Sequence, residues 1–369
     1  PLARLHVLGH GELSTAVTVL GEGFTTWRDL DVHRFREDQA LEAGGLYVYL
    51  RDRASGRVWS AGYQPTAAQP DFYDAKLAVD RVAIVRRDGD IETTTEIVVS
   101  PERPAEVRRI TLANHGAEAH ELELTTYGEV VLAPRAADLA QRARNVVETE
   151  RLAGHDALLA HRRARGANEE DVWLAQVLFA EGAEGAAWTP GVQHDTSRAS
   201  FLGRGRTPRE PVALDRPLAG TTGAVRDPVL ALRKVVRLEP GAHARVTVTT
   251  AIATSRAQAV ELAAISSTPH LLPSAFELAW ADARATLKHL GVSAAQSHRF
   301  QRLLSAIVFP QPALRSPVAR RALRGRGRSG LRTHGLGSDV PTVVVRIDVP
   351  EFDELFAELL RAHELFRLN

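Results

Sequence analysis

Two tryptophans near the start of the chain stand beside polar side chains that suit sugar binding. Trp27 is followed by Arg28, and Trp59 is followed closely by Tyr63 and Gln64. An indole face covers the C–H surface of a pyranose, while nearby planar donors and acceptors bind its hydroxyls. These residues therefore predict carbohydrate contact. The alternative is that both tryptophans fill a core or cap a loop, which is the commoner role of a lone tryptophan.

A second candidate lies in the late segment THGLGSD, where His334 and Asp339 could act as acid and base. Nothing in the sequence places a nucleophile beside them, so a structural loop is the favoured interpretation, with His334 kept as a candidate substrate contact. The histidines form no HExxH motif and cysteine is absent, so no metal site is predicted.

The basic stretch from Arg315 to Arg332 raises the question of nucleic-acid binding. It holds seven arginines, yet it lacks interleaved aromatic side chains, and the whole chain has a formal net charge of only +1. No apolar run approaches the roughly 20 residues that cross a bilayer. The sequence therefore predicts a cytoplasmic segment without nucleic-acid or membrane contact.

From residue 5 to about residue 265 the chain shows the pattern of β structure. Thr and Glu alternate with β-branched residues in Ile91–Val99, and turn residues recur every ~8 to 12 positions. Asp88-Gly89 favours a tight hairpin, and Asn114-His115-Gly116 is expected to close the strand before it onto the run ELELTTYGEVVL. This pattern predicts a large two-layer antiparallel β-sandwich.

After Thr254 the apolar spacing becomes helical. Ser255 and Ser274 are predicted N-caps, and Gly291 is a predicted C-terminal stop. An Arg/Gly-rich connector then leads to a predicted strand, Thr342 to Ile347, and a helix, Glu351 to Phe366. The predicted domains are a sandwich (1–265), a helical linker (266–315) and the connector with its terminal strand and helix (316–369), an α/β piece that ends before any catalytic domain.

Seven stretches, in order, resemble the β-sandwich region of cyclic β-1,2-glucan synthases, which is similar to the first domain of cellobiose and chitobiose phosphorylases, glycoside hydrolase family 94. They are GFTTWRDLDVHRFRED (23–38), GLYVYLRDRASGRVWSAGYQPT (45–66), TTYGEVVLAPRAAD (125–138), FLGRGRTPREP (201–211), FQRLLSAIVFPQPALR (300–315), GLRTHGLGSDVPTVVVRI (330–347) and LLRAHELFRLN (359–369). The sequence also departs from the family at Gln141–Arg144, at Arg332, where tryptophan is usual, and at Gly337-Ser338.

The resemblance implies a galactose-mutarotase-like supersandwich, a helical linker and then an α/α toroid. In the phosphorylases inorganic phosphate attacks the anomeric carbon with inversion, while an aspartic acid on the toroid protonates the leaving oxygen. No residue here matches that aspartate, so no catalytic residue is assigned. Apart from phosphate as the family's co-substrate, no cofactor is implied.

The resemblance favours a noncatalytic carbohydrate-binding or structural region of a glycosyltransferase or inverting phosphorylase. The implied partners are a β-linked glucan, the catalytic toroid and a second copy of the chain. Two alternatives stay open, a sandwich that binds carbohydrate without turning it over, and a sandwich that serves only for oligomer contact.

Overall fold

The computed structural model describes residues 5–34, 44–141, 146–164, 166, 169–269, 272–308, 343, 345 and 352–368. His334, the Arg/Gly-rich connector and, apart from Val343 and Val345, the strand predicted from Thr342 to Ile347 lie outside the described residues. The predicted domain boundaries stay predictions.

The strands of the described chain are short at the edges and long in the middle of the sheets. In chain order they are β1 (Leu5–His10), β2 (Leu13–Thr18), β3 (Gly23–Trp27), β4 (Leu30–His33), β5 (Leu46–Asp52), β6 (Val58–Ser60), β7 (Phe72–Leu77), β8 (Val82–Asp88), β9 (Ile91–Val99), β10 (Ala105–Asn114), β11 (His120–Ala133), β12 (Val147–Leu152), β13 (Ala157–Arg162), β14 (Val172–Glu181), β15 (Ala186–Trp188), β16 (Gln193–Ser197), β17 (Gly223–Val225), β18 (Pro228–Leu238) and β19 (His243–Ala253).

In the described residues these strands form two sheets in which every pair is antiparallel. The ten-stranded sheet runs β1-β2-β3-β4-β11-β18-β15, with β16 also on β18 and with β5 joining β11 to β6. The nine-stranded sheet runs β17-β12-β13-β14-β19-β10-β9-β8-β7. The prediction of a large antiparallel sandwich is confirmed.

The hairpin between β8 and β9 forms where the sequence predicts it. Asp88 pairs with Ile91 across the turn, and Gly89 takes φ +62°, a left-handed conformation that glycine adopts without a Cβ penalty. Along β9, buried residues alternate with half-buried ones from Ile91 to Ile97. One face of β9 therefore points into the sandwich.

The turn at Asn114 does not close a hairpin, and that prediction is wrong. Strand β10 pairs with β9 and β19 in the nine-stranded sheet, whereas β11 lies in the other sheet between β5 and β18. The Asn114 amide donates to the carbonyl oxygens of Leu238 and Glu239, at 3.3 and 3.2 Å. Because both edges of β10 are already paired, the turn carries the chain from one sheet to the other.

The main core fills the space between the sheets. Leu50, Leu124 and Leu232 of the ten-stranded sheet and Ile110 and Val248 of the other belong to one cluster and are fully buried. Burying each such side chain contributes about 1.5–3 kcal/mol.

Among the described residues, the helices after Thr254 follow the sequence pattern with small shifts, and two short α-helices that the pattern does not predict precede them. In chain order the helices are α1 (Arg135–Gln141), α2 (Arg198–Leu202), α3 (Arg256–Ser266), α4 (Leu272–Leu290), α5 (Ala294–Val308) and α6 (Asp353–Leu368). Ser255 caps α3 by accepting the backbone N–H of Gln258 at 3.2 Å, and Gly291, at φ +62°, ends α4, as predicted. Ser274 lies inside the first turn of α4, so its prediction as an N-cap is wrong.

The last helices pack on the sandwich and protect its edge. On α4, Phe276 packs on Val98 and Val107 of the nine-stranded sheet. On α5, the Ser305 hydroxyl accepts from the backbone N–H of Leu5 at 3.2 Å, so α5 satisfies part of the open edge of β1. None of the described helices is long and apolar enough to cross a membrane.

Candidate functional site

Trp27 and Arg28 lie together at the end of β3. The Trp27 side chain belongs to the main core and is only 5% exposed. The Arg28 guanidinium lies 4.2 Å from the centre of the indole and pairs with Glu12 at 2.9 Å and Glu170 at 3.0 Å. Arg28 has φ +55°, an uncommon value outside glycine, and its backbone N–H donates to the Glu12 carbonyl. Arg28 is therefore the solvent-facing member of the pair.

A pocket of about 390 Å³ opens beside this pair, within the size range of small-ligand sites. Carboxylates, guanidinium groups and one amide surround it, and such groups can bind sugar hydroxyls. The polar side chains that line it are His10, Glu12, Arg28, Glu102, Arg103, Thr254 and Gln258.

Trp59 lies on β6 with its indole inside the sandwich. The side chain is 1% exposed and belongs to the main core. The indole Nε1 has no hydrogen-bond partner among the described residues. The structure therefore gives the indole no face to solvent, and the sugar contact predicted for Trp59 stays a prediction that this placement does not favour.

Tyr63 and Gln64 lie in the turn after β6, where their backbones hold the β2–β3 hairpin. Both backbone N–H groups donate to the carbonyl oxygen of Leu20, at 2.9 and 3.0 Å. The Tyr63 ring meets Tyr73 edge-on with centres 6.4 Å apart, and the Tyr73 hydroxyl donates to the Val19 carbonyl at 2.7 Å. These contacts give the turn a structural role whether or not it touches sugar.

The two parts of the predicted sugar contact lie at opposite ends of the β2–β3 hairpin. Leu13 pairs with Trp27 at one end, and Val17 pairs with Gly23 at the end next to the Tyr63 turn. Leu13 and Val17 are four positions apart on β2, roughly 13 Å at the usual rise per residue. A single sugar unit does not reach both ends, so the two parts define two separate candidate contacts.

Sequence reasoning missed a buried charge network at Arg34. The guanidinium is enclosed, with its side chain 4% exposed, and donates to Glu129 at 2.7 Å, Asp227 at 2.8 Å and Asp138 at 3.1 Å. Arg198 adds a second contact to Glu129 at 2.8 Å. The partners are far apart in the chain, so no local pattern reveals them.

The network fixes the charge of Glu129. Burial would raise the pKa of this carboxyl, but the positive charges and hydrogen bonds of Arg198 and Arg34 outweigh burial and lower the pKa to about 2. The Tyr127 hydroxyl donates to Glu129 at 2.8 Å, and burial raises the pKa of Tyr127 well above its ordinary value. Glu129 thus stays ionised and Tyr127 neutral.

Aromatic side chains from three of the quoted motifs meet beside this network. Tyr127 lies 4.6 Å from Phe201 and 6.4 Å from both Tyr47 and Tyr49, measured between ring centres. The Tyr49 hydroxyl donates to the carbonyl oxygen of Pro208 at 2.7 Å. This aromatic cluster lies on the outer face of the ten-stranded sheet. Its one signal in the sequence is that each of the three motifs contains an aromatic residue.

A second buried carboxylate, Glu106, is held in the same way. It accepts hydrogen bonds from Thr15 at 2.8 Å and Thr25 at 2.7 Å and pairs with Arg108. Burial opposes ionisation, but the Arg108 charge outweighs it and lowers the pKa of Glu106 to about 2. The neighbouring His33 is fully enclosed, and burial lowers its pKa to about 4. These groups stabilise the interior in fixed charge states.

The comparison with known protein families agrees with the architecture. Residues 1–269 match the family described as glycosyl hydrolase 94, supersandwich domain. The cyclic beta-(1,2)-glucan synthase NdvB of Rhizobium meliloti (strain 1021) is 30% identical over 98% of this chain and 13% of its own length. Solabiose phosphorylase of Paenibacillus borealis is 24% identical over 54% of this chain and 25% of its own. A bacterial glucoamylase complexed with acarbose has TM-score 0.48 at 9% identity, over 83% of this chain and 42% of its own.

The matched region coincides with the two sheets. All strands from β1 to β19 lie within residues 1–269, and α3 lies there as well. The chain spans only a small part of the curated relatives that it matches, 13% of the synthase and 25% of the phosphorylase. On the match over residues 1–269, the chain belongs to the glycosyl hydrolase 94 supersandwich domain family.

Proposed function

We propose that this chain is a noncatalytic region of a glucan-processing glycosyltransferase or inverting phosphorylase, in which it supports an active site built on a catalytic toroid. Membership of the supersandwich family and likeness to a cyclic glucan synthase over 98% of the chain support the proposal. Phosphate and the reacting end of the β-linked glucan would bind at the toroid.

The state of the buried carboxylates carries the noncatalytic part of the proposal. An inverting phosphorylase needs an acid that still holds its proton near neutral pH, which requires a raised pKa. In the described part of the chain, every carboxylate whose pKa departs from its ordinary value has it lowered. Glu106 and Glu129, the two enclosed glutamates with the largest shifts, are ionised acceptors for arginine and are unsuited to protonating a leaving oxygen.

A direct activity measurement tests this proposal. The purified chain is incubated with phosphate and with β-1,2-glucan or cellobiose, and glucose 1-phosphate and reducing ends are measured. We expect neither product, while a full-length inverting phosphorylase with its own disaccharide serves as the positive control. Phosphate-dependent release that persists through repurification and is lost in the Glu129→Gln or Glu106→Gln chain would overturn the proposal.

The pocket beside Arg28 supports a second function, carbohydrate binding without turnover. Its volume of about 390 Å³ and its polar lining fit one or two sugar units. Binding there is compatible with both a supporting region and a separate binding module. Sugar titration of the pocket separates carbohydrate binding from a purely structural or oligomeric role.

A further inference from the structure

Strand β7 leaves an open edge at the end of the nine-stranded sheet. In the described chain it pairs with β8 alone. The strand has six residues, without a proline and without a break in its register with β8. Its outer side therefore presents a row of backbone N–H and C=O groups that can pair with a further strand.

The other ends of the two sheets are better protected. Along β1, the backbone N–H groups of Leu5 and Val7 donate to side chains of α5, and Gln301 of α5 donates back to the Val7 carbonyl. Strands β15 and β17 have only three residues each. Because covered and very short edges resist pairing with another chain, β7 is the best suited of these four edges.

The pairing of β7 with β8 determines which backbone groups face the open side. Just past the strand, the Ala78 N–H donates to the Arg81 carbonyl at 2.9 Å, so these two residues form a hydrogen-bonded pair. Hydrogen-bonded residues alternate along an antiparallel ladder, so every second residue back from Ala78 bonds to β8. The residues between them direct their backbone groups outward, and they are Tyr73, Ala75 and Leu77. Within the described residues, no loop or side chain bonds to those outward groups.

The side chains of β7 divide between the two faces of the sheet. Tyr73, Ala75 and Leu77 pack against the main core. Asp74 and Lys76 lie on the outer face, with side chains 47% and 78% exposed, and 3.9 Å separates their charged atoms. Both charges are thus accessible to a second chain.

We propose that two copies of this chain pair through their β7 strands, antiparallel and with the two-fold axis at Ala75. In this register Tyr73 of one copy lies opposite Leu77 of the other, so the outward backbone groups meet as hydrogen-bonded pairs. Asp74 lies directly opposite Lys76 of the second copy, and the symmetry repeats this ion pair. These positions are non-hydrogen-bonded ones, where Cα atoms approach to ~4.5 Å and side chains are closest.

The order of charges along β7 favours a second copy in this one arrangement. An in-register parallel pairing would set Asp74 beside Asp74 and Lys76 beside Lys76, which is repulsive. A shift by one residue would set outward groups of one copy against groups of the other that already bond to β8. Phe72, which is 52% exposed on the same face as Asp74, comes opposite Ala78 of the second copy and adds apolar contact. An interface of this small size predicts a weak dimer, with a Kd of roughly 10–100 µM.

Sedimentation equilibrium of the full chain, from about 5 to 500 µM, tests the proposal. The native chain should pass from monomer to dimer across this range. Asp74→Lys leaves only lysines at the contact and Lys76→Asp leaves only carboxylates, so each change should raise the Kd at least about 10-fold. Mixed in equal amounts, the two variants should associate as tightly as the native chain, because opposite charges then face each other again.

The matched control is Glu239→Lys. Glu239 is 49% exposed just after β18 and pairs with Arg237, two residues away, as Asp74 does with Lys76. This variant should dimerise like the native chain. Urea midpoints show that each variant is folded. Hydrogen exchange followed by mass spectrometry should slow in the β7 peptide at high concentration, in the native chain and in the mixture but in neither single variant.

A chain with both changes, Asp74→Lys and Lys76→Asp, keeps the net charge and exchanges the two signs. It should dimerise like the native chain, and it keeps the test decisive if a single variant does not fold.

Three outcomes would overturn the proposal. One is a native chain that stays monomeric to about 500 µM. Another is a dimer that Asp74→Lys weakens no more than Glu239→Lys does. The third is a failure of the charge-exchanged chain, or of the mixture of folded single variants, to associate. The noncatalytic role does not depend on these outcomes, since the activity measurement tests it separately.

Discussion

Arg86 and Asp88 form a two-point ion pair inside the sandwich, with N–O distances of 2.6 and 2.7 Å and no exposure of either side chain. The same guanidinium donates to the carbonyl oxygens of Gly62 and Ala68. One buried cation thus joins a neighbouring carboxylate on β8 to the loop that carries Tyr63. This contact explains why the loop keeps its shape with little secondary structure of its own.

Replacing Arg86 with methionine should lower the free energy of unfolding by about 3–5 kcal/mol. It leaves two carbonyl oxygens without their donor and leaves the buried Asp88 carboxylate with only the longer contact to Arg57, at 3.3 Å. Urea unfolding followed by tryptophan fluorescence measures the change. The control is Arg87→Met, since Arg87 is exposed on the same strand and, within the described residues, its side chain donates to the Gly89 carbonyl alone. Equal destabilisation by the two variants would contradict this role of Arg86.

Gly62 should tolerate no side chain. A Cβ there would lie 2.8 Å from the carbonyl oxygen of Leu20 and 2.9 Å from the Cα of Gly21, both backbone atoms that cannot move aside alone. Gly62→Ala should therefore cost about 1–3 kcal/mol in unfolding free energy. Gly182→Ala is the control, because nothing lies within 4 Å of its added Cβ. A Gly62→Ala chain as stable as the control would show that the close approach is not needed.

The charge of Glu129 should make the fold sensitive to acid. Its pKa is lowered from 4.5 to about 2 in the folded chain, so its stabilising contribution is complete above pH 4.5 and is lost as pH falls toward 2. The whole contribution is about 3 kcal/mol, of which about 2 kcal/mol is lost by pH 3.

The Glu129→Gln chain should be less stable at pH 7 and should lose less stability between pH 7 and pH 3 than the native chain. Urea midpoints at pH 7, 5, 4 and 3 measure this difference. Glu102→Gln, at an exposed carboxylate, is the control and should follow the native curve. A Glu129→Gln chain with the native pH dependence would mean that the network does not hold the carboxylate ionised.

The sequence predicted the strands that carry strong local patterns. β9 has the predicted bounds and β11 contains the whole predicted run ELELTTYGEVVL, because alternation and apolar runs are read within a single strand. Which strand a given strand pairs with depends on residues far away in the chain. For that reason the sequence wrongly predicts a hairpin at Asn114. The ion pairs of Arg34 join residues 95 to 193 positions apart, which no spacing rule detects.

The candidate site was predicted only in part. The motifs drew attention to Trp27 and Trp59, but the sequence could not show that both indoles point into the core. Whether an aromatic side chain is buried depends on which residues of the opposite sheet pack against it. The local sequence does not contain that information.

The pocket beside Arg28 should bind sugar through Arg28 rather than through the indole of Trp27, which is buried. Binding should be weak, roughly millimolar and thus about 4 kcal/mol, because the pocket is open on one side and buries little of a ligand. Trp27→Ala is a poor test, since deleting a core tryptophan costs about 3–5 kcal/mol and threatens the fold. Arg28→Ala is better, because the guanidinium is 41% exposed and its two ion pairs are exposed.

The titration uses β-1,2-linked glucose oligosaccharides and compares each variant with the native chain. Arg28→Ala should abolish saturation below tens of millimolar sugar. Arg53→Ala is the matched control, since Arg53 is 48% exposed and pairs with a carboxylate at 2.7 Å.

Gln64→Ala tests the other end of the hairpin and should leave binding at Arg28 unchanged, because the two ends lie roughly 13 Å apart. Equal binding by the Arg28→Ala and Arg53→Ala chains would leave Arg28 with a structural role, as the cation that covers Trp27 and joins Glu12 to Glu170.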